Sequence, residues 1–229
     1  AGDFEPANVK RLVEKYFSTL PARTVGPSMN VTAAEIVAEK RVAVTENVRL
    51  PRLHMGWLSP KAFSHEDYVC DILAAVLSDG RQSRLYKRLV HDLQIAQSVS
   101  AEQNSSALAS TFTVVATARP DVGVEKLEAE TQKVLDELVN DNPPTERELM
   151  AARNTIITEH MAELQVAQSR SDTLAFFTHY VGDPGYVRTW IGTYQTITAA
   201  EVQALAKTLL SKDHRVVLTT VPLPAAQGK

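Results

Sequence analysis

Six histidines, His54, His65, His91, His160, His179 and His214, are the residues best suited to metal or acid–base chemistry. A helical zinc pair needs two of them one turn apart, so that both rings face one ion. No two of these are three or four residues apart, so the spacing predicts no helical zinc pair, and no metal ligand or catalytic residue is assigned in this chain. A site gathered from distant histidines would leave no trace in the spacing. Glu159-His160-Met161-Ala162-Glu163 sets one imidazole between two carboxylates along a helical pattern. A solvated helix face explains it as well as a ligand set does, and is the reading adopted. No serine stands in a G-x-S-x-G elbow, although residue order alone leaves a Ser/His/Asp arrangement open. The glycines form neither G-x-G-x-x-G nor a Walker loop, so nucleotide binding is not expected. The single Cys70 excludes an internal disulfide and a multi-cysteine zinc site. It lies in the apolar run YVCDILAAVL, where a buried, inert thiol is expected.

Arg81, Arg84, Lys87, Arg88 and His91 crowd one short stretch. Such a cluster can hold the carboxylates of an acidic peptide. The plainer alternative is a solvated helix face with Leu85, Leu89 and Tyr86 turned to the core.

The chain that must position these groups has 229 residues, 44% of them hydrophobic and 22% charged, with a net charge of −3. That is long enough for one large domain or one domain plus part of another. The acidic balance argues against a nucleic-acid partner. No apolar run approaches the roughly 18 residues of a membrane span. The opening AGDFEP has neither an initiator Met nor a signal-like apolar core, so it reads as a processed or truncated end, and the compartment is not legible.

AGDFEPANVKRLVEKYFSTLP predicts a helix over residues 1–21, with Val9, Leu12, Val13, Tyr16 and Phe17 on one stripe. Residues 22–38 mix Gly, Pro, Ser and Thr without period and read as a linker. EKRVAVTENV and LPRLHMGWLS predict two strands, with Val42, Val44, Leu53, Met55 and Trp57 alternating against polar positions. A helix capped by Ser64 follows and stops at Gly80, then a shorter one over about Ser83–His91. IAQSVSAEQN and ALASTFTVVATAR predict an antiparallel strand pair. DVGVEKLEAETQKVLDELVND is an amphipathic helix that buries Val124, Leu127, Val134, Leu135 and Leu138. Thr145/Glu148 and Thr198/Glu201 are capping boxes for later helices, and HRVVLTTVPLP closes the chain as a strand. The order of elements gives an α+β fold, a mostly antiparallel sheet packed on helices.

The stretch DGRQSRLYKRLVHDLQIAQSVSA resembles the second homologous domain of the insulinase/pitrilysin family of zinc metallopeptidases, which includes the mitochondrial processing peptidase. Gly80, Ser83, Arg84, Leu85, Tyr86, Leu89, Ala96, Ser98 and Val99 keep the family pattern. AGDFEPANVKRLVEKYFSTLP resembles the end of that family's first domain. The resemblance therefore divides the chain into the terminal helix of a preceding domain (1–21), a linker (22–38) and a second, non-catalytic metallopeptidase-homology domain (39–229). It implies that zinc belongs to the full-length protein, bound by an H-x-x-E-H motif that this chain lacks. The family's second domain contributes an Arg and, seven residues on, a Tyr that touch the substrate. Those positions are Val90 and Gln97 here. Val90 cannot donate a hydrogen bond, and Gln97 lacks a phenol's reach. Arg84 and Tyr86 remain as candidate substrate contacts.

The resemblance implies a non-catalytic domain, inactive alone, that completes a substrate-enclosing chamber and a subunit interface. Its partners would be an upstream catalytic domain, a partner subunit or second copy, and a peptide substrate. Two alternatives stay open: a structural assembly subunit that shares the fold without proteolysis, and an autonomous peptide-binding module using the Arg81–Arg88 face.

Overall fold

Strict alternation in Arg52-Leu53-His54-Met55-Gly56-Trp57 gives a strand with one greasy and one polar face, and that asymmetry organises the sheet. The computed structural model describes residues 2–22, 26 and 34–223. Most of the expected 22–38 linker lies outside the described residues.

In chain order the elements are α1 (Pro6–Phe17), β1 (Lys40–Glu46), β2 (Arg52–Ser59) and α2 (His65–Ser78). A π-helix (Tyr86–Asp92), β3 (Ala96–Asn104), β4 (Ser110–Ala118), α3 (Val124–Asn140) and α4 (Glu146–Glu163) follow. The chain continues through α5 (Ala167–Tyr180), a 3-10 turn (Pro184–Tyr186), α6 (Val187–Thr196), α7 (Ala199–Leu209) and β5 (Arg215–Pro222). The chain divides into two compact units, residues 1–32 with 159–187 and residues 33–158 with 188–229.

The larger unit holds a five-stranded sheet in the order β1-β5-β2-β4-β3. Three pairings are antiparallel, and β1 runs parallel to β5. The fold is α+β with a mixed sheet. The two N-terminal strands are not neighbours: β5, from the far end of the sequence, lies between them. One face of the sheet carries Leu53, Met55, Trp57, Phe112, Val114, Ala116 and Val217, all buried against the helical layer. Leu127, Leu135 and Leu138 of α3 and Ile72, Leu73 and Leu77 of α2 complete that core. The indole N–H of Trp57 donates to the Ser211 carbonyl, so its buried polar atom is satisfied.

Val42 and Val44, which alternate in β1 as Leu53, Met55 and Trp57 do in β2, do not join this core. The register aligns Val42 with Leu218 and Val44 with Thr220, on the same face as His54 and Arg52. Val42 is 48% exposed. As an edge strand, β1 presents its valines on the side that carries no helices.

Caps fix where the helices start. Ser64 accepts the Asp67 N–H at the head of α2, while the Asp67 carboxylate accepts from Phe63 N, Gln103 Nε2 and Ser105 Oγ. Thr198 and Glu201 form the reciprocal capping box of α7. Gly80 takes φ 71°, a left-handed turn that glycine permits, just past the end of α2.

In the smaller unit, α5 ends where the Gly182 N–H returns to the Phe177 carbonyl, with Gly182 at φ 83°. The Phe177 ring meets Tyr186 edge-on at 5.3 Å. No residue of α1 is buried, so the stripe through Val9, Leu12, Val13, Tyr16 and Phe17 lies uncovered among the described residues.

Candidate functional site

Among the described residues, one face of the sheet packs against α2, α3 and α7, and the other presents strand side chains without a helix packed on it. At the end where β1 finishes and β2, β3 begin, it forms a concavity of about 680 Å³. Glu46, Arg49, Arg52, His54, Gln97 and Leu218 are among its lining residues. Each is placed by simple geometry. Arg52 and His54 are the outward partners of Leu53 and Met55 in the alternating strand. Arg49 lies in the short β1–β2 connection.

Gln97 owes its position to a bulge. Ala96 pairs with Ala118 and Ser98 with Thr117, so Gln97 is an extra residue on β3 with no partner on β4. A bulge breaks the pleat and re-aims the inserted side chain. Gln97 is exposed and lines the concavity. Val90, the other position singled out by the family pattern, is only 9% exposed and packs in the core. It lies in the π-helix, whose hydrogen bonds run to the fifth residue back, as in Leu93 N–H to Arg88 O. Gln97 therefore faces the open surface, and Val90 does not line that concavity.

Arg84 has structural partners of its own. Its guanidinium forks onto Glu148, Nε to Oε1 at 2.7 Å and Nη2 to Oε2 at 2.9 Å, and donates to the Asn142 and Pro143 carbonyls. Burial alone would raise the Glu148 carboxyl. The Arg84 hydrogen bonds, joined by those from Thr145 N–H and Oγ1–H, outweigh it and hold it down at about 2. Arg88 likewise holds Glu130 at 2.8 Å. Two arginines of the Arg81–His91 cluster thus already carry carboxylates of the chain itself. Tyr86 is half-buried against the core.

His54 is the one histidine among the residues lining the concavity. Burial, helped by the nearby Arg52 charge, lowers its imidazole below the usual range, so it is neutral near pH 7. Arg49 and Arg52 hold no carboxylate among the described residues, unlike Arg41, Arg84, Arg88 and Arg215. Among the described residues no group of three or more His, Cys, Asp or Glu could hold a metal ion. The residues present do not fit zinc. His160 sits 3.8 Å from Glu163, a simple i,i+3 pair on its helix.

Sequence reasoning assigned Arg49 and Arg52 no role, and weighed His54 only as one of six histidines without a partner one turn away. The signal was there in LPRLHMGW, because a strand that buries Leu53, Met55 and Trp57 must present Arg52, His54 and Gly56 on its other side. What the pattern lacked was whether helices cover that side.

The family profile described as Peptidase M16 inactive domain matches residues 1–156. The chain belongs to the peptidase M16 inactive-domain family. This is the zinc-peptidase family that the Gly80–Val99 motifs resemble. A protease from Helicobacter pylori superposes with TM-score 0.86 at 17% identity, over 96% of this chain and 53% of that one. An M16 inactive domain from Pseudomonas fluorescens gives TM-score 0.78 at 17% identity, over 98% and 52%. The ferredoxin protease FusC, solved as a point mutant in complex with Arabidopsis ferredoxin, gives 0.72 at 17% identity, over 97% and 24%. At such identities these likenesses concern the fold alone. The chain spans about half the length of the first two of these structures. No curated protein matches the chain.

Proposed function

We propose that this chain is the non-catalytic half of an M16 zinc peptidase, and that its open sheet face is a wall of the chamber that holds a peptide substrate. One observation carries the reading: five strands present a helix-free surface with a concavity, and Gln97, the position that in the family's active pairs touches substrate, lines it. Zinc chemistry belongs to a domain outside these 229 residues, and no step of hydrolysis is assigned to the side chains described here. The domain acts by confining and orienting an extended segment and by docking the catalytic domain or a partner subunit. The FusC complex with ferredoxin supports the idea that a protein of this fold family admits a polypeptide substrate. Because Val90 and Gln97 replace an Arg and a Tyr, the transition-state donors come from a partner subunit of different sequence. A lost donor of that kind typically costs about 10²–10³ in rate.

The test is peptide hydrolysis by the full-length protein, purified with zinc together with the product of its neighbouring gene, against an unstructured peptide. Chelator-sensitive cleavage that drops when Val115→Trp obstructs the open face is the expected result. Absence of chelator-sensitive cleavage assigns the protein to the alternative, an assembly subunit that keeps the fold without proteolysis.

A further inference from the structure

Charge on the open face is not evenly spread. Along its middle the rows read Val42, Leu218, His54, Val115 and Ser100, with no charge on any of them at neutral pH. At the end lined by the β1–β2 connection, two guanidinium groups, Arg49 and Arg52, stand over the concavity. Among the described residues, Glu46 is the one carboxylate lining it, and no ion pair joins Glu46 to either arginine. Neither guanidinium is held by a carboxylate among the described residues, so both are free to take one from a ligand, unlike the arginines that brace the fold. Arg41 and Arg215 share Glu39 and Glu128, Arg84 holds Glu148, and Arg88 holds Glu130.

We propose that this end of the open face is a subsite for an acidic side chain, Asp or Glu, of an extended peptide, held by the guanidinium groups of Arg49 and Arg52. The proposal rests on the reading of this face as a substrate wall and names the chemistry that the wall selects. A guanidinium presents its N–H groups in a planar fork that matches a carboxylate, which makes arginine the better clamp where orientation matters. The floor suits the rest of such a side chain. Val44 and Leu218 offer apolar contact to its methylene groups. Ser98 and Thr117 offer hydroxyls to the peptide backbone, and the bulge residue Gln97 offers an amide. The row beyond the middle one, in which Val216, Gly56 and Thr113 align, leaves open space above Gly56. An extended peptide can run across it close to the sheet.

The experiment uses the 229-residue chain and three dansyl-labelled hexapeptides, Ala-Ala-Glu-Glu-Ala-Ala and its Gln and Lys counterparts, read by fluorescence. The Glu peptide is expected to bind about tenfold more tightly than the Gln peptide in about 50 mM salt. That margin shrinks in about 0.5 M salt. Arg49→Gln combined with Arg52→Gln, with an unchanged thermal midpoint as the folding control, equalises the two peptides. Lys126→Gln with Lys207→Gln removes the same charge elsewhere and keeps the preference. Equal binding of the Glu and Gln peptides, a preference that survives the Arg49/Arg52 change, or no saturation by about 1 mM overturns the subsite. Benzophenone versions of all three peptides separate this outcome from failure of the wall. Charge-independent labelling of β2 and β4 keeps the wall and removes the subsite. Labelling that misses this face with every peptide removes both.

Discussion

The Tyr194 hydroxyl donates a 2.7 Å hydrogen bond to the Asp71 carboxylate, tying α6 to α2. Tyr194 is buried, and the Tyr68 ring meets it edge-on at 5.4 Å. Burial pushes the Asp71 carboxyl up to about 7, the neighbouring Asp67 charge adds to the rise, and the Tyr194 hydrogen bond opposes it.

That relationship sets a pH dependence. The folded-state value lies above the ordinary 3.8, so the native state holds the proton more tightly than the unfolded chain does. The stabilisation is complete below about pH 4 and is lost as pH rises through about 7. Asp71→Asn keeps an acceptor for Tyr194 without a titrating proton, so the fall over that window should flatten. Thermal midpoints of the two proteins from pH 4 to 8 measure it, and identical slopes contradict the assignment.

Glu148 runs the other way. Its carboxyl is held at about 2, below the ordinary 4.5, so it contributes stability above about pH 4.5 that disappears as pH falls towards 2. Glu148→Gln should remove this acid-side loss. Arg84→Ala should destabilise the fold by about 1–3 kcal/mol, because it strips a forked partner from Glu148 and a donor from two carbonyls. Arg84→Lys should recover less than half, since an ammonium cannot fork. Urea midpoints at pH 7 and pH 3 distinguish these outcomes.

Arg215 begins β5 with its side chain only 5% exposed. It donates to Glu39 at 2.6 Å and to the side-chain amide oxygen Oε1 of Gln132, and lies 3.8 Å from Glu128. Arg215→Met leaves those acceptors without their donor. The expected loss is about 2–3 kcal/mol, or roughly 4–12 °C in thermal midpoint for a chain of this size. A change under about 1 °C would show that the network adds nothing.

Putting back the family pair separates the two positions. Gln97→Tyr, at an exposed bulge, should shift stability by no more than about 0.5 kcal/mol. Val90→Arg buries a charge in an apolar core and should cost about 3–5 kcal/mol. The double variant should cleave no peptide. Calorimetry and a peptide assay check both halves.

Zinc should leave the thermal midpoint of the 229-residue chain unchanged within error, whereas specific binding raises it by mass action. A clear rise at micromolar zinc would reveal a site that the spacing of the six histidines did not announce.

Much of the architecture was legible as pattern. The period-2 stretch around Leu53, the helical period of Val124–Leu138 and the Thr198/Glu201 capping box are local, and local signals survive folding because they arise from the backbone's own periods and unsatisfied termini. The motif from Gly80 to Val99 carried the family, since chain chemistry alone spells it out.

Sequence by itself therefore determined the elements, the α+β class and the family. Tertiary structure decided the rest. Nothing local tells β5 to insert between β1 and β2, because pairing depends on segments about 170 residues apart. Nothing local says that Val42 faces outward while Leu53 faces in, or that Val90 packs in the core while Gln97 stands on a bulge. A side chain's fate in a sheet depends on which face the helices cover, and that is settled only when the layers meet.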